Sequence, residues 1–169
     1  MPGMTDKDSN RTRTITWEDP RPLAEAAGAL SGLEFLQKIV NAELPPPPLA
    51  ALMNFDLVEL REGYAVFAVE PAEYHYNPIG VVHGGLAATL LDSAMGCAVH
   101  STLPAGAGYT TLEIKVNFIR AMSASTGRVR CEAKIVHVGA RTATAEGRVV
   151  DESGKLYAHG TTTCLILRS

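Results

Sequence analysis

The chain has 169 residues, 46% of them apolar and 20% charged, with a net charge of −3. That length bounds one domain with a real core, and the mild acidic balance excludes a polybasic nucleic-acid or membrane-surface binder. Cys97, Cys131 and Cys164 lie far apart with no C-x-x-C pair. This excludes a zinc or thioredoxin-like site and leaves buried free thiols in a reducing cytoplasm as the expectation.

Residues 1–14 are polar and read as a disordered tail. They hold no apolar core of a signal peptide. The most apolar stretch, Leu86 to Val99, spans 14 residues and contains Asp92, whereas a membrane helix needs about 20. A cytoplasmic location with no membrane partner is therefore expected.

Residues 15–50 read as an N-terminal helical extension, and 51–169 as the main domain. The stretch 15–30 carries Trp17, Pro20 and Pro22 and reads as an ordered arm. Ser31 and Glu34 form a capping-box pattern ahead of Leu33, Leu36 and Ile39. Pro45-Pro46-Pro47-Pro48 stops that helix. A ligand for a proline-binding domain is the alternative reading of this run. Between two apolar segments, a stiff connector is the plainer one. Leu49 to Met53 reads as a helical turn.

Phe55 to Leu60 and Tyr64 to Val69 read as strands around the turn Arg61-Glu62-Gly63. After a loop from Pro71 to Val82, a helix is predicted from about Gly84 to Ser101. It is ended by Pro104, Gly106 and Gly108. Leu112, Ile114, Val116 and Phe118 then alternate with polar residues and predict a strand with one dry face. Val129, Cys131, Ala133 and Ile135 do the same, and the phase break at Ile135-Val136 predicts a bulge. Two more strands follow, the second from Leu156 to Leu167.

Leu86, Ala87, Leu90, Leu91, Ala94, Met95, Ala98 and Val99 cover nearly the whole circumference of the 84–101 helix. Such a helix is buried on all sides. The expected fold is α+β, with an antiparallel sheet of about six strands wrapped around that one helix.

Asp92 is the only formally charged side chain between His83 and Leu112. A buried carboxylate is costly, so it needs either a structural partner or a chemical purpose. His83-Gly84-Gly85 bears on the choice. The first N–H groups of a helix lack partners and carry the positive end of its dipole, which suits a carbonyl oxygen turning into an oxyanion. Close packing is the plain alternative for the two glycines, and an orienting hydrogen bond is the plain one for His83. Asn77 can donate its amide to the same carbonyl. Gly84 and Asp92 are eight residues apart, or about 12 Å along a helix. A reacting carbon lies about 3 Å from both nucleophile and oxyanion donor. A composite site is therefore expected, with Gly84 and Asn77 from one subunit and Asp92 from a second.

The run Asn77-Pro-Ile-Gly-Val-Val-His83-Gly84-Gly85-Leu-Ala-Ala-Thr-Leu-Leu-Asp92 resembles the signature of hotdog-fold acyl-CoA thioesterases of the phenylacetic-acid-degradation (PaaI-like) type. Tyr109 to Ile119 and His137-Val-Gly-Ala-Arg141-Thr-Ala resemble further segments of that family, so the likeness covers about residues 50–167. It implies an acyl-CoA substrate, no cofactor, no metal, and self-association into dimers, often tetramers. It also implies that Asp92 activates water or attacks the thioester carbon. Gly84 N–H and Asn77 would polarise the carbonyl with support from His83, and Thr111 would orient the water, with Thr110 as the neighbouring option. Gly85, Thr110, Arg120 and Arg141 are the implied substrate contacts. Arg120, Arg128, Lys134 and Arg141 are the basic residues set to meet coenzyme A phosphates, although solvated strand-face charge is the commoner fate. Two features depart from the family pattern. The extension before residue 50 is longer than the minimal domain, and Ala121 stands where similar sequences often carry proline.

Two other functions fit the same residues. A hotdog-fold hydratase or dehydratase would pair His83 with Asp92 as acid and base. A non-catalytic acyl-CoA binder would release no thiol.

Overall fold

The computed structural model describes residues 10–168. Residues 1–9 of the expected tail, and residue 169, lie outside the described residues. In chain order the elements are α1 (Arg21–Ala29), α2 (Gly32–Val40), α3 (Pro48–Met53), β1 (Phe55–Arg61), β2 (Tyr64–Val69), α4 (Gly84–His100), β3 (Ala107–Phe118), β4 (Val129–Val138), β5 (Thr142–Asp151) and β6 (Leu156–Arg168).

The strands form one antiparallel sheet in the order β1-β2-β4-β5-β6-β3. The tight β1–β2 turn places Gly63 at φ 72°, a conformation that favours glycine. The chain leaves β2 and runs through α4 to the far edge, so β3 lies beside β6. α4 packs against all six strands. The predicted irregularity in β4 is present, with a register shift between Ile135 and His137.

One glycine pair shapes the helix seat. Gly147 of β5 stands opposite Gly160 of β6. A Cβ on Gly147 would lie 3.0 Å from Leu91 Cδ2, and one on Gly160 would lie 2.7 Å from the Lys115 carbonyl oxygen. The missing side chains leave a dent in the sheet, and Leu91 and Met95 fill it, fully buried.

All eight apolar positions named on α4 are at most 1% exposed. The expectation of burial on every side nevertheless fails for one strip. Ala88, Thr89 and Ser93 are half-buried and Asp92 is exposed. These positions share one side of the helix, and the sheet covers the other.

β3 also departs from expectation. Its alternation predicted a dry face, and Ile114, Val116 and Phe118 do stand opposite Thr162, Gly160 and Ala158 on the helix side of β6. Yet Phe118 is 59% exposed, and Leu112 falls at a register shift after Thr111, off the predicted alternation, and is 57% exposed. β3 is an edge strand that overhangs α4, so the chain itself supplies nothing to cover that face.

The N-terminal helices pack onto the same body. In the capping box of α2, Ser31 Oγ accepts the Glu34 N–H at 3.3 Å and Glu34 Oε2 accepts the Ser31 N–H at 3.1 Å. Phe35 and Leu36 then bury against Leu57, Leu60 and Cys97. Pro48 opens α3, so the proline run connects two helices. The Arg13 guanidinium donates to the Leu52 and Ala51 carbonyls at 2.8 and 2.9 Å and lies over the Tyr74 ring. The expected disorder of the tail therefore does not extend to Arg13. Among the described residues no helix is long and apolar enough to cross a membrane.

Candidate active site

The loop entering α4 is held by its own backbone. Asn77 Oδ1 accepts the N–H groups of Ile79 and Val81 at 3.1 and 3.3 Å, and Asn77 N–H donates to the Val81 carbonyl at 2.8 Å. These bonds fix the amide orientation. They leave Asn77 Nδ2 without a partner among the described residues, as an available donor.

His83 is the N-cap of α4. Its own N–H donates to the His75 carbonyl at 2.8 Å, and its Nδ1 accepts the Gly85 N–H at 2.8 Å. An accepting Nδ1 places the ring proton on Nε2 in the neutral imidazole. A Cβ on Gly85 would lie 2.7 Å from that Nδ1, so the cap requires glycine there. The Gly85 N–H, among the expected substrate contacts, is thus engaged within the chain. The Gly84 N–H is the donor left open at the helix end. A Cβ on Gly84 would meet the Phe118 ring at 3.1 Å, so the aromatic side chain of the bare edge lies directly beside this terminus.

Two turns along the helix, Asp92 is exposed, and Thr111 Oγ1 of β3 donates to its Oδ1 at 3.0 Å. Oδ2 has no partner among the described residues, so it is the oxygen free to meet another group. Strand register settles which threonine faces α4. Tyr109 and Thr111 stand opposite the buried Ile166 and Cys164, whereas Thr110 pairs with Leu165 on the outer face and is exposed. Thr110 therefore does not reach Asp92, and the register shift that follows Thr111 lies beyond the contact.

The cysteines are not nucleophiles. Burial pushes the Cys97 thiol up to about 12, and the charge of Asp92 adds to the shift. Burial also raises Cys131 and Cys164. All three stay protonated near neutral pH, and the reactive form of a cysteine is the thiolate.

Two cavities flank the helix N-terminus. One of about 290 Å³ is lined by Gly84, Ala87, Phe118 and Arg120 among others. The other, of about 330 Å³, is lined by His83, Gly85, Leu86 and Thr89 among others. Asp92 lines neither. Arg120 is anchored by donating to the Leu156 carbonyl. Arg141 is exposed in the β4–β5 turn and lines neither cavity.

Asn77, His83, Gly84, Gly85 and Arg120 thus belong to the helix entrance, and Asp92 with Thr111 to a second place about 12 Å away. A single chain does not bring the two sets into either cavity. Sequence reading missed Tyr109 and Phe118. The signal for Tyr109 was Gly96 in mid-helix, where a Cβ would come 2.5 Å from the tyrosine hydroxyl.

Residues 79–158 match the family model described as the thioesterase superfamily. A 1,4-dihydroxy-2-naphthoyl-CoA hydrolase of Listeria monocytogenes is 28% identical over 108 residues, covering 64% of this chain and 86% of that protein. The structure of a conserved protein from Pseudomonas aeruginosa is similar at a TM-score of 0.67 and 35% identity, covering 72% of this chain and 95% of that one. A mutant of the phenylacetic acid degradation protein PaaI from Thermus thermophilus is similar at a TM-score of 0.64 and 32% identity, covering 73% and 100%. With its six-stranded sheet around one helix, the chain belongs to the thioesterase superfamily and is a hotdog-fold thioesterase of the PaaI-like kind.

Proposed function

We propose that the chain hydrolyses acyl-CoA thioesters to a free acid and coenzyme A, at a site shared between two copies. The observation that carries this reading is the Asp92–Thr111 hydrogen bond of 3.0 Å on an otherwise apolar helix. It orients an exposed carboxylate and leaves one oxygen free. That oxygen either takes the proton of an attacking water or attacks the carbonyl carbon itself. In the second case C–S cleavage leaves an acyl–Asp92 anhydride, which water then hydrolyses to the free acid. The Gly84 N–H and Asn77 Nδ2 of the partner copy stabilise the oxygen that becomes negative. As the tetrahedral intermediate collapses, the C–S bond breaks and the thiolate leaves.

The composite arrangement is supported by the separation of the two sets along α4. The exposed Leu112, Ile114 and Phe118 of β3 support self-association into a dimer. A dimer edge there would place the Gly84–Phe118 contact at the interface. Arg120, in the cavity with Gly84, is the basic side chain best placed for a coenzyme A phosphate. The hydratase alternative needs His83 to exchange protons with Asp92. The His83 Nδ1 already holds the Gly85 N–H, and no observation favours that role.

Replacing Asp92 with Asn is expected to lower kcat by at least roughly 100-fold, the scale of a general base. Thiol release would be followed with a panel of acyl-CoAs and the fold checked by circular dichroism. Near-normal turnover in a folded Asp92→Asn protein contradicts the assignment.

A further inference from the structure

A cavity of about 740 Å³ lies beneath the N-terminal extension, apart from the two at the helix entrance. Leu36, Ile39 and Leu44 wall it from the extension, and Leu57, Cys97 and Tyr109 wall it from the sheet and α4. Its size falls within the range of small-molecule sites. The charged residues of its lining are Glu18, Glu43 and Asp56, with no Lys or Arg. The Cys97 thiol stays protonated. An uncharged, apolar ligand suits such walls, and the acidic lining disfavours a second carboxylate.

Its position ties it to the reaction centre. Tyr109 precedes Thr111 by two residues on the helix-facing side of β3. Its hydroxyl lies over Gly96, one helical turn beyond Asp92. The Tyr109 ring therefore stands between the Asp92–Thr111 pair and the cavity, of which it is a wall. The ring is held from behind by His100, with centroids 5.5 Å apart, and His100 is held by Phe35 of α2 at 5.6 Å. The extension thus reaches Tyr109 through a chain of tilted ring contacts.

We propose that the N-terminal extension builds the acyl pocket, and that the cavity beneath α2 takes a straight aliphatic acyl chain that reaches it from the Asp92 side along the Tyr109 ring. The inference rests on the acyl-CoA hydrolase reading and adds the class of acyl group. The pocket selects an aliphatic chain over a short acyl group and over one ending in a carboxylate.

The test compares acetyl-, hexanoyl-, decanoyl- and ω-carboxydecanoyl-CoA with the full chain and with Ile39→Trp, which fills the cavity from α2. Calorimetric binding of decanoate is measured beside turnover. In the unaltered chain, kcat/KM is expected to rise about fourfold for each buried methylene, and to fall again for the carboxylated chain. In Ile39→Trp the decanoyl-to-acetyl ratio should drop at least roughly tenfold, and decanoate binding should weaken with it. Leu44→Trp fills the cavity from the segment after α2 and gives the same readout if Ile39→Trp does not fold. Hydrolysis with no chain-length preference, or a preference untouched by both variants, overturns the pocket and leaves the hydrolase reading standing. Decanoate binding that both variants abolish, with no acyl-CoA hydrolysed, overturns the hydrolase reading and keeps the aliphatic site.

Discussion

The two edges of the sheet are finished in opposite ways. At the β1 edge the chain folds its own α2 and α3 against the strand, and Phe35, Leu36 and Ala50 are buried there. At the β3 edge a 12-residue strand runs with Leu112, Ile114 and Phe118 exposed. Proteins ordinarily shield a long apolar edge, because its unpaired backbone invites another strand. The covered edge holds the fold together, and on the reading proposed here the bare edge holds the chemistry. The Asp92–Thr111 bond joins α4 to β3, and Phe118 of the same strand lies beside Gly84.

Changes at the bare edge should therefore affect turnover more than folding. The largest effect is expected from Ile114→Lys, which puts a charge on the proposed self-association face. Sedimentation should show the mass falling to that of one chain, with activity dropping to the level of Asp92→Asn. Full activity in a monomeric Ile114→Lys protein would remove the link between association and chemistry. Next comes Thr111→Val, which takes away one hydrogen bond to a charged group, worth about 1.5–3 kcal/mol. A kcat loss of roughly 10- to 100-fold with unchanged thermal stability is expected, and undiminished kcat would leave Thr111 a packing residue.

The smallest effect is expected on the covered side. His75 is buried, accepts the Ala72 N–H at its Nδ1 and bonds the Met53 carbonyl through Nε2. Burial lowers its pKa below the ordinary 6.5. The unfolded chain then binds the proton more readily than the folded one. The stability from neutral His75 is complete above pH 6.5 and is lost as pH falls from there through the lowered folded value. His100 is shifted the same way by burial and adds a second share. Thermal unfolding should show the unaltered protein losing stability between pH 7 and 5.5, and His75→Gln losing less. Equal losses would mean that His75 is not part of the pH response.

Much of the fold was legible because its signals are local. The Ser31–Glu34 capping box, the Gly63 turn and the broken phase at Ile135-Val136 each announce a structure that needs only near neighbours. α1 was less legible. Its N-cap is Pro20, with no side-chain cap, and Pro22 lies in its first turn, so it read only as an ordered arm. The alternation in β3 named the correct face for Ile114, Val116 and Phe118 but not for Leu112, at the register shift, and periodicity does not say what covers that face. The helix composition likewise suggested burial all round. The small and polar strip of Ala88, Thr89, Asp92 and Ser93 was visible in the residues, yet only the sheet's position shows that it stays open.

The site divides in the same manner. Asp92 was legible as a lone charge in an apolar helix. Strand register was needed to choose Thr111 over Thr110. The occupation of the Gly85 N–H depends on the His83 rotamer, which spacing does not encode. What the helix length did convey was the separation of Gly84 from Asp92, and no single-chain cavity among those at the helix entrance closes that gap.

The most direct measurement mixes equal amounts of Asp92→Asn and Asn77→Ala chains under conditions that let subunits exchange. A site built from two copies predicts that some mixed dimers regain one intact site, so thiol release rises above the mean of the two separate proteins. A mixture that stays at that mean would show that Asp92 and Asn77 act within one chain.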